Sequence, residues 1–438
     1  MASPTTSQKD TDIGARTVRR VSLRILPIVG LLYVFNYMDR ANISYAQLGM
    51  EHELAITTAT FGAAAAIFFL AYVVFEIPSN MVMKRVGARL WLARIAITWG
   101  LVTVGTGFVH SVTQLYAARI LLGVAEAGLF PGLLLYMTLW FRSGERGRAI
   151  AALALAQPIA MILGSLTGGL ILDHVQWLDL SGWRWVFILQ GLPAIVLGVL
   201  VLFYLPDNPA KARFLSKAES TWLNEEIAKE YSPEEHKGPL AELKVIRDPK
   251  LLYLAVANFF AACGLYGFTF FLPKIVQQMD PSYSATNIGF LGAIPFLVGA
   301  VGMLLVARNS DRTGERRGHV IALMLLAAAG LFGTIQFRHE PVPALICLSL
   351  VAIGVLGYMA PYWAMAARVL SREHTAVGLA AINSIAALGG FFGPYVIGQN
   401  ATVDDATVGL FFPIGCLVVC AVMLAFLRVP RDRPGALK

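Results

Sequence analysis

The stretch that decides the fold is "RILPIVGLLYVFNYMDRANIS", running from Arg24 to Ser44. Its first half is almost entirely apolar, and its second half places Asn36, Asp39, Arg40 and Asn42 in the same run. A helix needs about 20 apolar residues to cross the hydrocarbon core of a bilayer. A charge at that depth costs a few kcal/mol, so it faces a cavity or an opposite charge. The stretch reads as a membrane-spanning helix with one polar face.

The rest of the chain follows this pattern. Of 438 residues, 57% are hydrophobic and only 14% charged, against about a quarter charged in soluble domains. Mean hydropathy is +0.65. Twelve candidate spans follow one another, at 22–47, 59–83, 90–109, 113–140, 147–172, 184–205, 250–276, 286–308, 319–337, 342–367, 375–400 and 407–428. Only helices and closed barrels satisfy their backbone in lipid, and runs this long and this apolar are helices.

The basic residues orient these spans. With the N-terminus inside, 29 Lys and Arg fall on the inner side, including Arg142, Arg372, Lys237, Lys244, Arg247, Arg431, Arg433 and Lys438. Only Arg184, Lys274 and Arg338 fall on the other side. Positive loops stay cytoplasmic, so both termini are expected inside. The net charge of +8 is therefore membrane topology, and nucleic acid is not an expected partner. The N-terminus has no signal-peptide core or cleavage site.

The expected fold is an all-α membrane protein of twelve transmembrane helices in two pseudo-symmetric six-helix bundles. The expected organisation is a tail at 1–20, a bundle at 21–205, a cytoplasmic loop at 206–248, a bundle at 249–428 and a tail at 429–438. In the central loop, "SKAE" at Ser216–Glu219 is a capping box. The amphipathic "STWLNEEIAKE" after it predicts a short surface helix tying the halves together. Pro131 precedes Arg142 by eleven residues and Pro361 precedes Arg372 by eleven, a weak internal echo. Transporters built from such repeats carry their site near the midplane between halves. Cys263, Cys347, Cys416 and Cys420 lack metal-ligand spacing and read as small apolar residues.

Ionisable residues inside spans concentrate in the first half: Asp39, Arg40, Glu76, Arg94, Arg119 and Glu126. Tyr33, Asn36, Tyr37, Arg40 and Ser44 recur at three- or four-residue steps and share a helix face. Arg119 and Glu126 share another, about 10 Å apart along the axis. Two acids and two bases would meet in one cavity if the first and fourth helices are neighbours. An arginine fork there binds a carboxylate bidentately, and an acid beside it can exchange protons. The alternative is two ion pairs that merely lock the bundle. Glu76 and Arg94 stand near the cytoplasmic ends, where snorkelling suffices.

At these residues the chain resembles a major facilitator superfamily transporter of the anion:cation symporter family. The resemblance covers essentially the whole chain. It is carried by "NYMDRANIS" (Asn36–Ser44), "EIPSNMVMKRVGARLWLARI" (Glu76–Ile95), "RILLGVAEAGLFPG" (Arg119–Gly132), "LPDNPAKARFLSKAE" (Leu205–Glu219) and "NSDRTGERR" (Asn309–Arg317). It implies that Asp39 and Glu126 carry protons, that Arg40 holds the substrate carboxylate, and that Arg119 pairs with the acids. It implies polar lining from Asn36, Tyr37, Tyr72, Gln157, Tyr266 and Asn383. Lys84, Arg85, Gly87, Asp311, Arg312 and Gly314 would be cytoplasmic gating latches. Lys84 stands where the superfamily's general loop has an acid, a substitution typical of this family. Ser165 in "GSLTGG" stands where exporters have proline.

The expected function is proton-coupled uptake of a small organic carboxylate, such as tartrate or a sugar acid, by alternating access. An aromatic acid of the hydroxyphenylacetate or phthalate type is the alternative, and a drug exporter a more distant one. Tyr33, Tyr37, Tyr72, Tyr266, Tyr358, Tyr362 and Trp363 are candidate cavity aromatics. No enzymatic activity, cofactor or metal is expected. The partners are an organic anion, protons and the bilayer, with a bacterial plasma or inner membrane as location and a monomer as the functional unit.

Overall fold

The computed structural model describes residues 6–230, 248–370, 375–401 and 406–428. The expected tail at 429–438 lies outside these, as do Arg372, Lys237, Lys244, Arg247, Arg431, Arg433 and Lys438. Every described regular element is helical. The first half comprises α1 (Thr6–Glu53), α2 (Thr58–Val86), α3 (Ala88–Thr106), α4 (Val112–Glu126), α5 (Leu129–Thr138), α6 (Ser143–Ala154), α7 (Ala156–His174) and α8 (Gly182–Tyr204). After α9 (Lys217–Glu230) come α10 (Pro249–Met279), α11 (Ala285–Thr313), α12 (Arg317–Gln336), α13 (Pro341–Gly357), α14 (Met359–Val369), α15 (Thr375–Ala387), α16 (Gly389–Asn400) and α17 (Phe411–Phe426).

Among the described residues, eleven segments are long and apolar enough to cross a membrane. The remaining expected span, 90–109, falls on α3, where Arg89 and Arg94 dilute the apolar run. Four expected spans are each two helices: α4–α5, α6–α7, α13–α14 and α15–α16. The sharpest break follows Glu126, where Gly128 adopts φ +87°. Only glycine enters that region without strain, and a Cβ there would sit 2.6 Å from Ser79 Oγ. That Ser79 hydroxyl donates to the freed Ala127 carbonyl at 2.6 Å. The apolar pattern runs straight through this break, so hydropathy does not reveal it.

The two halves repeat each other in detail. Gly87 closes α2 at φ +99° and Gly314 closes α11 at φ +67°. Pro131 is the third residue of α5, and Pro361 the third of α14. Polar caps start several helices: Ser111, Ser284 and Asp248 accept the backbone N–H of Gln114, Asn287 and Lys250. Such oxygens satisfy amides that the first turn leaves without partners.

The halves meet along α7–α11, α2–α16 and α1–α10. Their closest seams lie at the end away from the basic loops. There Gly62 and Gly398 face each other so closely that a Cβ on Gly62 would stand 2.5 Å from the Pro394 carbonyl oxygen. Small residues permit this backbone approach in the membrane. Asp173 of α7 accepts the Thr286 and Ala285 amides of α11 at 2.6 and 3.2 Å. Lys274 of α10 pairs with Glu51 of α1 at 2.7 Å.

One expectation changes here. The segment read as an N-terminal tail is helical from Thr6 and continuous with the first span. The reason is packing: Trp222 of α9 lies against Gly14, and the buried Glu219 carboxylate takes Arg16 at 3.1 Å and Arg20 at 2.9 Å. Within the described residues, Glu219 pairs with Arg16 and Arg20, so the surface helix α9 is tied to the first half; the residues that follow it, 231–247, lie outside the described ones. Glu226 pairs with Arg142 at 3.3 Å and Glu230 with Arg146 at 3.3 Å, at the start of α6.

Candidate functional site

The polar face of α1 meets the end of α4. Arg40 Nε donates to Glu126 Oε2 at 2.9 Å, and Asn36 Nδ2 donates to the same oxygen at 2.7 Å. The Arg40 and Glu126 side chains are only 10% and 0% exposed, so this pair is desolvated. Breaking a buried pair is far costlier than breaking a surface one. Glu126 is the last residue of α4, directly before the Gly128 break. Its second oxygen, Oε1, is buried without a partner.

Asp39 lies around the helix from Arg40 and is fully buried. Asn42 Nδ2 donates to its Oδ1 at 3.1 Å, and its Oδ2 has no partner. Asp39 interacts electrostatically with both Glu126 and Arg119. Each acid thus has one oxygen in a hydrogen bond, and the two acids also stand close enough to interact with each other. A proton could settle on Glu126 Oε1 or Asp39 Oδ2 without displacing any bond.

Arg119 departs from expectation. It pairs with neither acid within 4.0 Å; its Nε donates to the Ala64 carbonyl at 3.2 Å, and Nη1 and Nη2 are buried without partners. The separation of about 10 Å along α4 prevents a direct pair with Glu126. Arg119 instead stacks over Phe68, its Cζ 4.9 Å from the ring centroid, while Arg40 stands 5.3 Å from the same centroid. One aromatic ring is shared by two cations, each attracted to its quadrupole.

Around Arg40 the rings close in. Tyr72 of α2 lies 4.7 Å and Tyr37 5.6 Å from its Cζ. Tyr33 donates to the Tyr37 hydroxyl at 3.3 Å. From the second half, Tyr266 packs on Phe69 with centroids 4.5 Å apart and interacts electrostatically with Arg40. Asn36, Tyr37, Arg40, Tyr72 and Glu126 are therefore in one cluster, with Asp39, Arg119 and Tyr266 beside it. Gln157 is buried on α7 and Asn383 half-buried on α15; neither has a hydrogen bond to the cluster among the described residues. Tyr358 donates to Asn258 at 3.1 Å and Tyr362 to the Leu254 carbonyl at 2.8 Å, both within the second half.

Glu76 and Arg94 do not simply snorkel. Glu76 is buried and accepts the Ser384 hydroxyl from α15 at 2.8 Å, linking the two halves. It lies one turn from Tyr72, and that i,i+4 spacing is the signal that could have placed it beside the site. Arg94 turns inward over Trp91, 3.9 Å from the ring, and reaches the Ala125 carbonyl that the Gly128 break leaves open, at 3.4 Å.

At the basic end, Lys84, Arg85 and Arg312 are exposed. Asp311 pairs with Arg316 at 2.6 Å, and Arg316 also donates to Ser310 Oγ at 3.0 Å. Gly87 and Gly314 provide the turns on either side. Among the described residues there is no cluster of three or more His, Cys, Asp or Glu that could hold a metal.

A two-half helical bundle with charges buried in its core defines a multi-pass membrane transporter. A sequence model of the Major Facilitator Superfamily matches residues 29–394, and the chain belongs to that superfamily. It is 41% identical over 94% of its length to a protein of Agrobacterium vitis named "Putative tartrate transporter", covering 95% of that protein. It is 36% identical to a "Quinolone resistance transporter" of Acinetobacter baumannii, over 92% of each chain. Among solved structures, a bacterial homologue of the human lysosomal transporter Spinster, inward-facing and unoccupied, superposes with TM-score 0.74 at 16% identity. That match covers 92% of this chain and 95% of the other.

Proposed function

We propose that this chain takes up a small organic carboxylate together with protons, by alternating access, across the bacterial inner membrane. The observation that carries this reading is the dry Arg40–Glu126 pair with Glu126 Oε1 and both Arg119 terminal nitrogens unpartnered. Arg40 is the substrate anchor, and Glu126 competes with the substrate carboxylate for it. A proton on Oε1 neutralises Glu126 and weakens its hold on Arg40, whose planar fork then engages the incoming anion. Asp39 is the second proton carrier, and Arg119 supplies a positive field that keeps the pocket selective for anions. Asn36, Tyr37, Tyr72 and Tyr266 line the pocket; Gln157 and Asn383 line its wider walls.

In this reading α3 is the twelfth crossing, both termini are cytoplasmic, and residues 21–205 and 249–428 are the two rocking units around 206–248. The basic-end residues Lys84, Arg85, Gly87, Asp311, Arg312 and Gly314 are the latches, and a single chain is the working unit. The name carried by the Agrobacterium vitis relatives supports tartrate or a similar hydroxy acid as substrate. The rings of Tyr37, Phe68, Tyr72 and Tyr266 around the arginine favour a second reading, an aromatic acid.

The test is uptake by the purified chain in proteoliposomes, with tartrate, gluconate and hydroxyphenylacetate offered separately. Accumulation that needs an inward proton gradient, and that alkalinises the outside medium, is the expected result. Accumulation that ignores the gradient, or transport of none of these anions, removes the reading.

A further inference from the structure

We infer that the outer face of the first half carries a binding site for one anionic glycerophospholipid, with the half-buried Arg94 as its inner cation. A groove of about 360 Å³ opens there between α2, α3 and α4, lined by Phe75, Pro78, Ser79, Val82, Trp91, Arg94 and Val124. Its lining residues all belong to the first half. Phe75, Ile77, Met81, Val82 and Leu90 around it are large, apolar and exposed, as residues against acyl chains are.

The charge inside this apolar groove is the informative feature. Among the described residues, Arg94 has no acid within 4.0 Å, its Nε is buried without a partner, and its hydrogen bond to Ala125 is long at 3.4 Å. Stacking on Trp91 holds the guanidinium in the groove. A cation in such surroundings calls for an anion.

The mouth of the groove completes the match. Phe75, Pro78, Ser79 and Val82 lie on one face of α2, and Arg85, three residues beyond Val82, continues it. Arg85 is exposed and has no ion pair among the described residues. A basic mouth, a deeper arginine and apolar walls suit a lipid whose phosphate meets Arg85, whose ester or phosphate oxygens reach Arg94, and whose chain fills the groove. Basic pockets between helices at the positively charged membrane side bind such headgroups. The site is independent of the substrate proposed above.

The full-length chain is delipidated in detergent and titrated with phosphatidylglycerol or with phosphatidylcholine of the same acyl chains. Bound lipid is counted by native mass spectrometry. Phosphatidylglycerol is expected to bind about fivefold more tightly for each basic side chain engaged. Arg94→Gln lowers that preference about fivefold, leaving the part that Arg85 supplies, and Val82→Trp, which fills the groove, lowers binding of both lipids. Undiminished, still selective binding to Arg94→Gln overturns the proposal. So does displacement of phosphatidylglycerol by equal concentrations of inorganic phosphate or oleate, which identifies a site for a bare anion. If Arg94→Gln does not yield folded protein, Val82→Trp decides alone, and binding equal to the parent chain overturns the site.

Discussion

Arg40 and Glu126 meet edge to edge across α1 and α4, Nε to Oε2 at 2.9 Å, at the point where the fourth span breaks. A carboxylate at a helix end moves with the helix, and α5 restarts only after the left-handed turn at Gly128. The proposed coupling therefore places the protonation of Glu126 next to the hinge between α4 and α5. Glu76, joined to Ser384 in the second half and one turn from Tyr72, connects the same cluster to the opposing unit.

Glu126→Gln keeps the hydrogen-bond acceptor but cannot take up a proton. Substrate binding, measured by thermal shift or calorimetry, should persist within about threefold, since Arg40 loses its competitor. Accumulation against a gradient should disappear, leaving only equilibration. Normal uphill accumulation by this variant removes Glu126 from the coupling.

Arg40→Ala leaves the Glu126 carboxylate buried and unpaired, which costs about 3–5 kcal/mol. Thermal unfolding of the detergent-solubilised chain should fall accordingly. Adding Glu126→Gln should recover most of that stability and none of the uptake. Recovered uptake in the double variant means that Arg40 serves only as the partner of Glu126.

Much of this was readable from the chain, and the unread part has a physical pattern. The spans announce themselves because lipid demands about 20 apolar residues each. The face shared by Asn36, Tyr37 and Arg40 follows from helical periodicity alone. What stayed hidden depends on neighbours. That Arg40 takes Glu126, and that Arg119 takes the Ala64 carbonyl and the Phe68 ring, is decided by how α1, α2 and α4 pack. The Gly128 break depends on a neighbour too: Ser79 on another helix caps the freed Ala127 carbonyl and leaves no room for a Cβ at 128. Glu76 looked like a snorkelling residue because its partner, Ser384, is 308 positions away in sequence.

Gly128→Ala tests whether the break positions the acid. A residue with a Cβ in the left-handed region costs about 1–2 kcal/mol before any clash, and Ser79 Oγ stands 2.6 Å from the new atom. Thermal stability and uptake should both drop. Gly105→Ala, where a Cβ meets nothing within 4 Å, is the control and should leave both unchanged.

Glu51 and Lys274 fasten the halves at the end away from the basic loops, with side chains 20% and 13% exposed. A partly buried pair of this kind contributes about 1 kcal/mol, which corresponds to about fivefold in the ratio of closed to open seam. Glu51→Gln should therefore speed thiol labelling of a cysteine placed at the buried Leu48 by about that factor. An unchanged rate would show that Gly62–Gly398 packing and the Asp173 contacts hold the seam without the ion pair.

Glu219 gives a pH signature outside the membrane. Burial pushes its carboxyl upward, but the Ser216 amide and hydroxyl, Arg20 and Arg16 outweigh burial and hold it below its ordinary range. A carboxyl whose folded value is lowered stabilises the fold above its unfolded value, about 4.3. That contribution disappears as pH falls through the lowered folded value. Glu219→Gln should consequently unfold at a lower temperature than the parent chain at neutral pH. The gap should narrow as pH drops from about 5 to about 3, because the parent loses what the variant never had. Thermal melts in detergent across that range measure it. A gap that stays constant with pH assigns the stabilisation to packing of α9 on α1, with no part for the charge on Glu219.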